Sequence, residues 1–320
     1  MTKNVKQFAL LAVTILMLIS VIAGCTPAGQ ATENKSSQAQ SSYSTRFKIA
    51  TTTSLNDTGL WDYLTPVFEK KFNTALDVVA AGTGAALDYG KRGDVDAVTV
   101  HDPAAEAQFI SDGYGINKRS FAFNYFIVVG PAADPAAING LSPEDAFKKI
   151  YAGGTADPTK VRFVSRGDNS GTYAKEKLIW QAAGFNYPDV EKSGKWYIEA
   201  GKGMGPSLVM ASEQGAYILT DVSTFLAYGS KLNLVPIVES GQIFLNVYDA
   251  IAINPAKVTT AKMLPMANNF INWLISDDVQ NLIATYGVDK YGKPLFSPMK
   301  GGGCKDPGCP KVEDYTVPVS

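Results

Sequence analysis

The sequence has little of what most enzymes depend on. Its 320 residues include one histidine, His101, three cysteines, Cys25, Cys304 and Cys309, and five arginines. A single imidazole excludes any site built on paired histidines and leaves a serine hydrolase only one candidate base. Three cysteines are too few for a disulfide scaffold. Charge is sparse at 18% of residues, and beyond residue 24 the count is 27 basic against 30 acidic. A weakly acidic chain with so few arginines is poorly suited to nucleic acid. No Gly-x-Ser-x-Gly occurs, and Gly201-Lys202-Gly203-Met204-Gly205 lacks the spacing and the Lys-Ser/Thr end of a P-loop. No enzyme and no cofactor are expected. Hydrophobic residues make up 46%, enough for a globular body of two lobes or one large domain.

The front end reads as an address and an anchor. Residues 1–24 begin with Lys3 and Lys6 and continue as an apolar run, Phe8 to Ala23, broken by Thr14 and Ser20. A secretory signal peptide has this form. A retained transmembrane helix needs about 20 apolar residues, more than this run supplies. Ile22-Ala23-Gly24-Cys25 closely resembles a bacterial lipobox, with Cys25 lipidated as the mature N-terminus. Residues 25–45 are then the anchor and a flexible linker: Ser, Gln, Thr and Ala dominate from Thr26 to Thr45, with nothing to offset the entropy of ordering. Such a tether spans roughly 25 Å and holds the body near the membrane. In that oxidising compartment Cys304 and Cys309, separated by a Pro-Gly turn, are expected to form a disulfide. Free thiols or a metal site are the alternatives, and two sulfurs without a nearby histidine argue against metal.

From Arg46 strands and helices alternate. Strands are expected at Phe47–Ala50, Leu76–Ala80 and Ala97–Val100, each followed by a helix, with Asn56 and Asp57 as candidate caps for the first. This pattern implies a mainly parallel sheet covered by helices. Phe123–Val129 and Asn246–Asn254 read as apolar strands, and Asn124-Tyr125 to Pro131 and Asn246 to Pro255 share a pattern, an apolar strand after an Asn that stops at a proline. Their likeness suggests a chain that leaves one lobe and later returns to it. The expected bounds are 46–124 for the first part of lobe 1, 125–246 for lobe 2, and 247–320 for the return and a C-terminal tail.

Three strand-to-helix loops suit an anion: Thr51-Thr52-Thr53-Ser54, Gly82-Thr83-Gly84 and Ser165 to Thr172. Ligands of open parallel sheets sit beyond the strands' carboxyl ends, where helix starts present unpaired N–H groups. Hydroxyls donate hydrogen bonds, and glycine lets the backbone approach an anion closely. Arg166 adds a charge-assisted donor. Each loop taken alone also reads as ordinary helix capping.

Together, TTTS, GTG, VHDPAAE, SRGDNSGT, WYIEAGKGMGPSL and AYILTD, in this order between Arg46 and Pro298, resemble the TupA-like tungstate-binding proteins of ABC importers. The resemblance implies a two-lobed α/β periplasmic binding protein of type II, with mixed, mainly parallel sheets and a cleft between the lobes. It implies a tungstate or molybdate oxyanion as ligand, an ABC transporter permease as partner, and a monomer outside the cytoplasm, held by its lipid. The implied ligand contacts are Thr53, Ser54, Thr83, Arg166, Ser170, Gly171 and Thr172, with Asp168 and His101 supporting them from behind. The family often has histidine at Tyr173, arginine at Val222 and proline at Val247. Phosphate is the alternative ligand, because Arg166 to Thr172 also resembles the loop of phosphate-binding proteins. Tungstate carries no proton near neutral pH, whereas phosphate needs a carboxylate to accept one. Asp102 and Asp168 are the acids to watch: with tungstate, Asp102 should point away and Asp168 should pair with Arg166.

Overall fold

A long strand that changes partners half-way along organises the molecule. The computed structural model describes residues 43–320, so the expected signal segment, Cys25 and nearly all of the linker lie outside the described residues. Ten strands form one mixed sheet: β1 Arg46–Thr52, β2 Ala75–Ala81, β3 Ala97–Val100, β4 Gly115–Gly130, β5 Phe163–Ser165, β6 Tyr197–Glu199, β7 Tyr217–Asp221, β8 Val235–Val238, β9 Leu245–Ile253 and β10 Ser297–Pro298. The main order is β2-β1-β3-β9-β4-β7-β5-β6. Both flanks, β2-β1-β3 and β7-β5-β6, are parallel. The centre is antiparallel: β9 runs against β3 and β4, and β4 against β7. The first stretch of β4 pairs with β9 up to Tyr125↔Leu245, and Phe126 onward pairs with β7. The chain therefore crosses from one half-sheet to the other at Tyr125–Phe126 and comes back at Leu245.

Apolar residues of each half pack on their own side of that crossing. Helix Leu60–Phe72 lays Leu60, Trp61, Leu64 and Phe68 against Phe47, Phe121, Phe270 and Trp273. In the other half, Phe147, Phe163, Trp180, Trp196 and Tyr217 share a cluster. Burying each such side chain contributes about 1.5–3 kcal/mol before entropy is counted. The start of helix Leu60–Phe72 corrects an expectation. Asn56 and Asp57 do not cap it; they lie inside a short preceding helix, Thr53–Asp57, whose cap is Thr52. The longer helix starts instead at Gly59, whose φ of 79° suits glycine.

Cys304 and Cys309 are bonded, with Cα atoms 5.9 Å apart. Their loop packs on Phe123, Leu245 and Met299, beside the crossing strands, and Tyr125 donates to Asp306 at 2.8 Å. Among the described residues no helix is long and apolar enough to cross a membrane, and no group of three or more metal-ligating side chains is found.

Candidate functional site

The three loops singled out in the sequence meet where the two half-sheets face each other. Each continues a strand into a helix: β1 into Thr53–Asp57, β2 into Thr83–Arg92, and β5, through Arg166 to Ser170, into Gly171–Ala182. Bonds across the cleft hold them together. The Gly171 amide donates to Thr83 Oγ1 at 3.0 Å, and the Gly84 amide to the Asn169 carbonyl at 2.8 Å. Thr224 Oγ1, whose one proton is shared with the nearer Asp221 carboxylate, reaches the Ser54 carbonyl at 3.2 Å, and the Gly205 amide donates to Asp57 at 3.2 Å. Gly171 is packed so closely on the His101 ring that a Cβ there would lie 2.7 Å from it.

Four polar atoms in this cluster have no partner in the protein, three donors and one acceptor, Asp168 Oδ1. Thr53 Oγ1, Thr172 Oγ1 and Arg166 Nε are all buried and all lack a hydrogen bond. Leaving a buried donor unmet costs about 1–3 kcal/mol, and folds keep few of them. Two hydroxyls and one guanidinium N–H form a donor set matched to the oxygens of an anion. Arg166 is only 2% exposed, so its charge meets little solvent screening. Its Nη2 pairs with Asp168, as expected from their spacing.

The remaining candidates are placed as follows. Ser170 caps helix Gly171–Ala182, its Oγ accepting from the Tyr173 amide at 3.1 Å, which leaves its own proton free to donate. Thr83 and Gly171 spend one contact on each other. Ser54 Oγ lies 3.3 Å from both Thr52 Oγ1 and His101 Nε2. The tautomer of His101 follows from its neighbours. Asn246 donates through Nδ2 to Asn124 and Tyr248, so its Oδ1 accepts from His101 Nδ1 at 2.8 Å. Nε2 is then an acceptor, and Ser54 donates to it, so the expected contact of the Ser54 hydroxyl with the ligand has no proton left to give. Burial, aided by the Arg166 charge, pushes the His101 pKa down to about 4 against the pull of Asn246. The imidazole is neutral at pH 7 and acts as a support behind Ser54. Asp102 is turned to its own helix, where it accepts from the Ala104 and Ala105 amides.

Sequence reasoning missed the polar seam under the cleft. Asn124 and Asn246 face each other in the β4–β9 register. Asn124 donates to Ser223 and Asp221, while Asp221 accepts from the Thr224 amide at 2.9 Å and hydroxyl at 2.6 Å. Burial raises the Asp221 pKa, and the donors of Thr224 and Asn124 oppose it. The available signal was an Asn at the same place in two similar apolar strands.

A family model described as a PBP superfamily domain matches residues 29–278. A tungstate-binding protein TupA of Peptoclostridium acidaminophilum is 39% identical over 296 residues, covering 92% of this chain and 98% of that protein. The chain belongs to the TupA-like family. A putative ABC transporter anion-binding protein of Haloferax volcanii is 45% identical over 256 residues, 78% of this chain and 71% of its own. The solved tungstate-binding TupA of Desulfovibrio alaskensis is 38% identical, with a TM-score of 0.65, over 79% of this chain and 98% of the other. The TupA-like fold, two-lobed and of type II, is thus the frame in which the departures are read. Val222 sits at the start of helix Val222–Tyr228 and packs with Met204, Leu208 and Phe225, where an apolar side chain fits. Tyr173 points into a hydroxyl chain with Tyr187. Val247 lies within β9 opposite Phe123.

Proposed function

We propose that this chain is the extracytoplasmic binding protein of an ABC importer. It captures tungstate between its lobes, with molybdate as a near-isosteric competitor, and delivers it to a membrane permease. In this reading residues 1–24 are a signal peptide, Cys25 carries the lipid, and 25–45 tether a monomeric body to the cell membrane. The lobes comprise 46–124 with 247–320, and 125–246; the partner change along β4 at Tyr125–Phe126 supports these bounds. The observation that carries the ligand assignment is the set of three unpartnered buried donors on Thr53, Arg166 and Thr172. An acceptor-only dianion fits them because donors face it and Asp102 does not. The names of the relatives supply the choice of tungstate among such dianions.

One observation favours phosphate as a second reading. Asp168 Oδ1 is buried without a partner and is an acceptor on which a protonated anion could place its hydrogen. Melting of residues 43–320 with tungstate, molybdate, sulfate and phosphate separates the readings. At a hundred times Kd a ligand adds about 2.7 kcal/mol, a rise of roughly 5–10 °C for a body of this size. Tungstate and molybdate should give it and phosphate should not; a rise with phosphate alone would favour the second reading.

A further inference from the structure

Glu176 is a buried carboxylate that the anion site as described does not use. It lies on the helix whose first turn carries Gly171 and Thr172, five residues on, or about 7.5 Å along the axis. Its side chain is held from three elements. Ser165, the residue before Arg166, donates to Oε2 at 2.7 Å from β5. Tyr197 donates to Oε1 at 2.6 Å from β6, and Trp180 at 3.1 Å from the same helix. None of these partners is a cation. An ionised Glu176 would therefore add negative charge behind the helix start where a dianion would bind, and none of its own hydrogen-bond partners offsets it.

A line of hydroxyls connects this carboxylate to the surface. Tyr197 lies 2.7 Å from the Tyr187 hydroxyl, and Tyr187 lies 2.8 Å from that of Tyr173. Tyr173 reaches Glu191 at 3.1 Å and Glu199 at 3.4 Å. Each hydroxyl both donates and accepts, so the line can reverse as a unit.

We propose that Glu176 takes up a proton through Tyr173, Tyr187 and Tyr197 when a dianion enters the cleft, so that anion capture and proton uptake are coupled. This rests on the oxyanion reading above. The step balances: an O–H bond forms at Glu176 Oε1 as Tyr197 releases its proton. Tyr187 now donates to Tyr173 and Tyr173 to Glu191, so these hydroxyls turn inward first. Tyr197 then receives the proton of Tyr187, Tyr187 that of Tyr173, and Tyr173 one from the buffer acid at the surface, which is left as its conjugate base. Burial holds the Glu176 pKa up to about 7, with the Tyr197, Ser165 and Trp180 donors lowering it and the Glu199 charge raising it. A group poised there is half-protonated at pH 7, and a nearby dianion completes the protonation. His101, Asp57, Asp168 and Asp221 also border the cleft and are the competing sites for the proton.

The test is calorimetry of the protein with sodium tungstate at pH 7 in PIPES and in imidazole, whose ionisation enthalpies differ. The binding enthalpy of the wild type should differ between buffers by an uptake of about half a proton. Above pH 7 its Kd should rise, approaching tenfold per pH unit. Glu176→Gln should still bind tungstate, with a buffer-independent enthalpy and a flat pH profile. Tyr197→Phe removes a donor from the carboxylate, and the uptake should move to higher pH. Tungstate binding with no uptake in the wild type overturns the coupling and leaves the oxyanion reading intact. Uptake that persists in Glu176→Gln assigns the proton to another group, His101 first, and overturns it equally. No tungstate binding overturns the oxyanion reading and the coupling together.

Discussion

At the scale of single residues, the proposed chemistry rests on the unpartnered donors of Arg166, Thr53 and Thr172. Arg166→Gln removes a charge-assisted donor, worth about 1.5–3 kcal/mol, so tungstate should bind roughly 10- to 150-fold more weakly by calorimetry. Arg166→Lys keeps the charge but loses the planar fork, and should fall between the two. Unchanged affinity in Arg166→Gln would remove the arginine from the site. Two buried titrating groups set opposite pH trends in the stability of the unliganded body. The His101 pKa is depressed to about 4, so its contribution is complete above about pH 6.5 and lost as pH falls toward 4. The Glu176 pKa is raised to about 7, so its contribution is complete below about pH 4.5 and lost as pH rises toward 7. Each slope approaches about 1.4 kcal/mol per pH unit, and between pH 4.5 and 6.5 they oppose one another. Urea unfolding of Glu176→Gln should therefore show stability rising more steeply from pH 5 to 7 than in the wild type. A parallel profile would mean that the carboxylate titrates as an exposed one. Arg166 and the hydroxyls were legible because strand-to-helix loops rich in Thr, Ser and Gly carry a local signature. Glu176 was not, because nothing in the neighbouring sequence tells a buried glutamate in a helix from a solvated one.

At the scale of elements, the strand-and-helix order was readable and β4 was not. Its second half, Phe123 to Val129, is an apolar run broken only by Asn124, which sequence patterning finds. Its first half contains Asn117-Lys118-Arg119-Ser120, and its register slips twice, between Ile116 and Arg119 and between Ser120 and Ala122. Bulges break the two-residue alternation that marks a strand. Asn117, at φ 58°, is part of the irregularity. The same stretch turns Lys118 inward, where it bridges Glu106 at 2.6 Å and Asp249 at 2.8 Å and ties helix Pro103–Ser111 to β4 and β9. Glu106 is fully buried. Lys118→Met leaves two buried carboxylates without their cation and should cost about 3 kcal/mol in urea unfolding at pH 7. The loss should shrink at pH 5, since burial and the Asp249 charge already raise the Glu106 pKa. A loss under 1 kcal/mol would mean that the three groups are solvated. The disulfide acts more locally. Replacing Cys304 and Cys309 by serine reopens a loop of six residues, an effect of about 2 kcal/mol by chain entropy, with tungstate affinity expected within twofold of the wild type. A larger change in affinity would give the tail, which touches the β4–β9 crossing, a role in closing the cleft.

At the scale of the molecule, the site exists only because two half-sheets meet. Thr53 and Ser54 come from one and Arg166 to Thr172 from the other, and four bonds across the cleft hold them in place. The loops were visible in the sequence one at a time. Their convergence was not, because it depends on contacts between residues such as Thr83 and Gly171, 88 positions apart. In the proposed function these loops bind an unprotonated tetrahedral dianion through donors. Competition calorimetry on residues 43–320 at pH 7, with tungstate titrated against phosphate, tests it most directly. Tungstate should bind at micromolar concentration or tighter, with phosphate unable to displace it. Micromolar or tighter phosphate binding that tungstate cannot displace would make a protonated anion the ligand of this cleft.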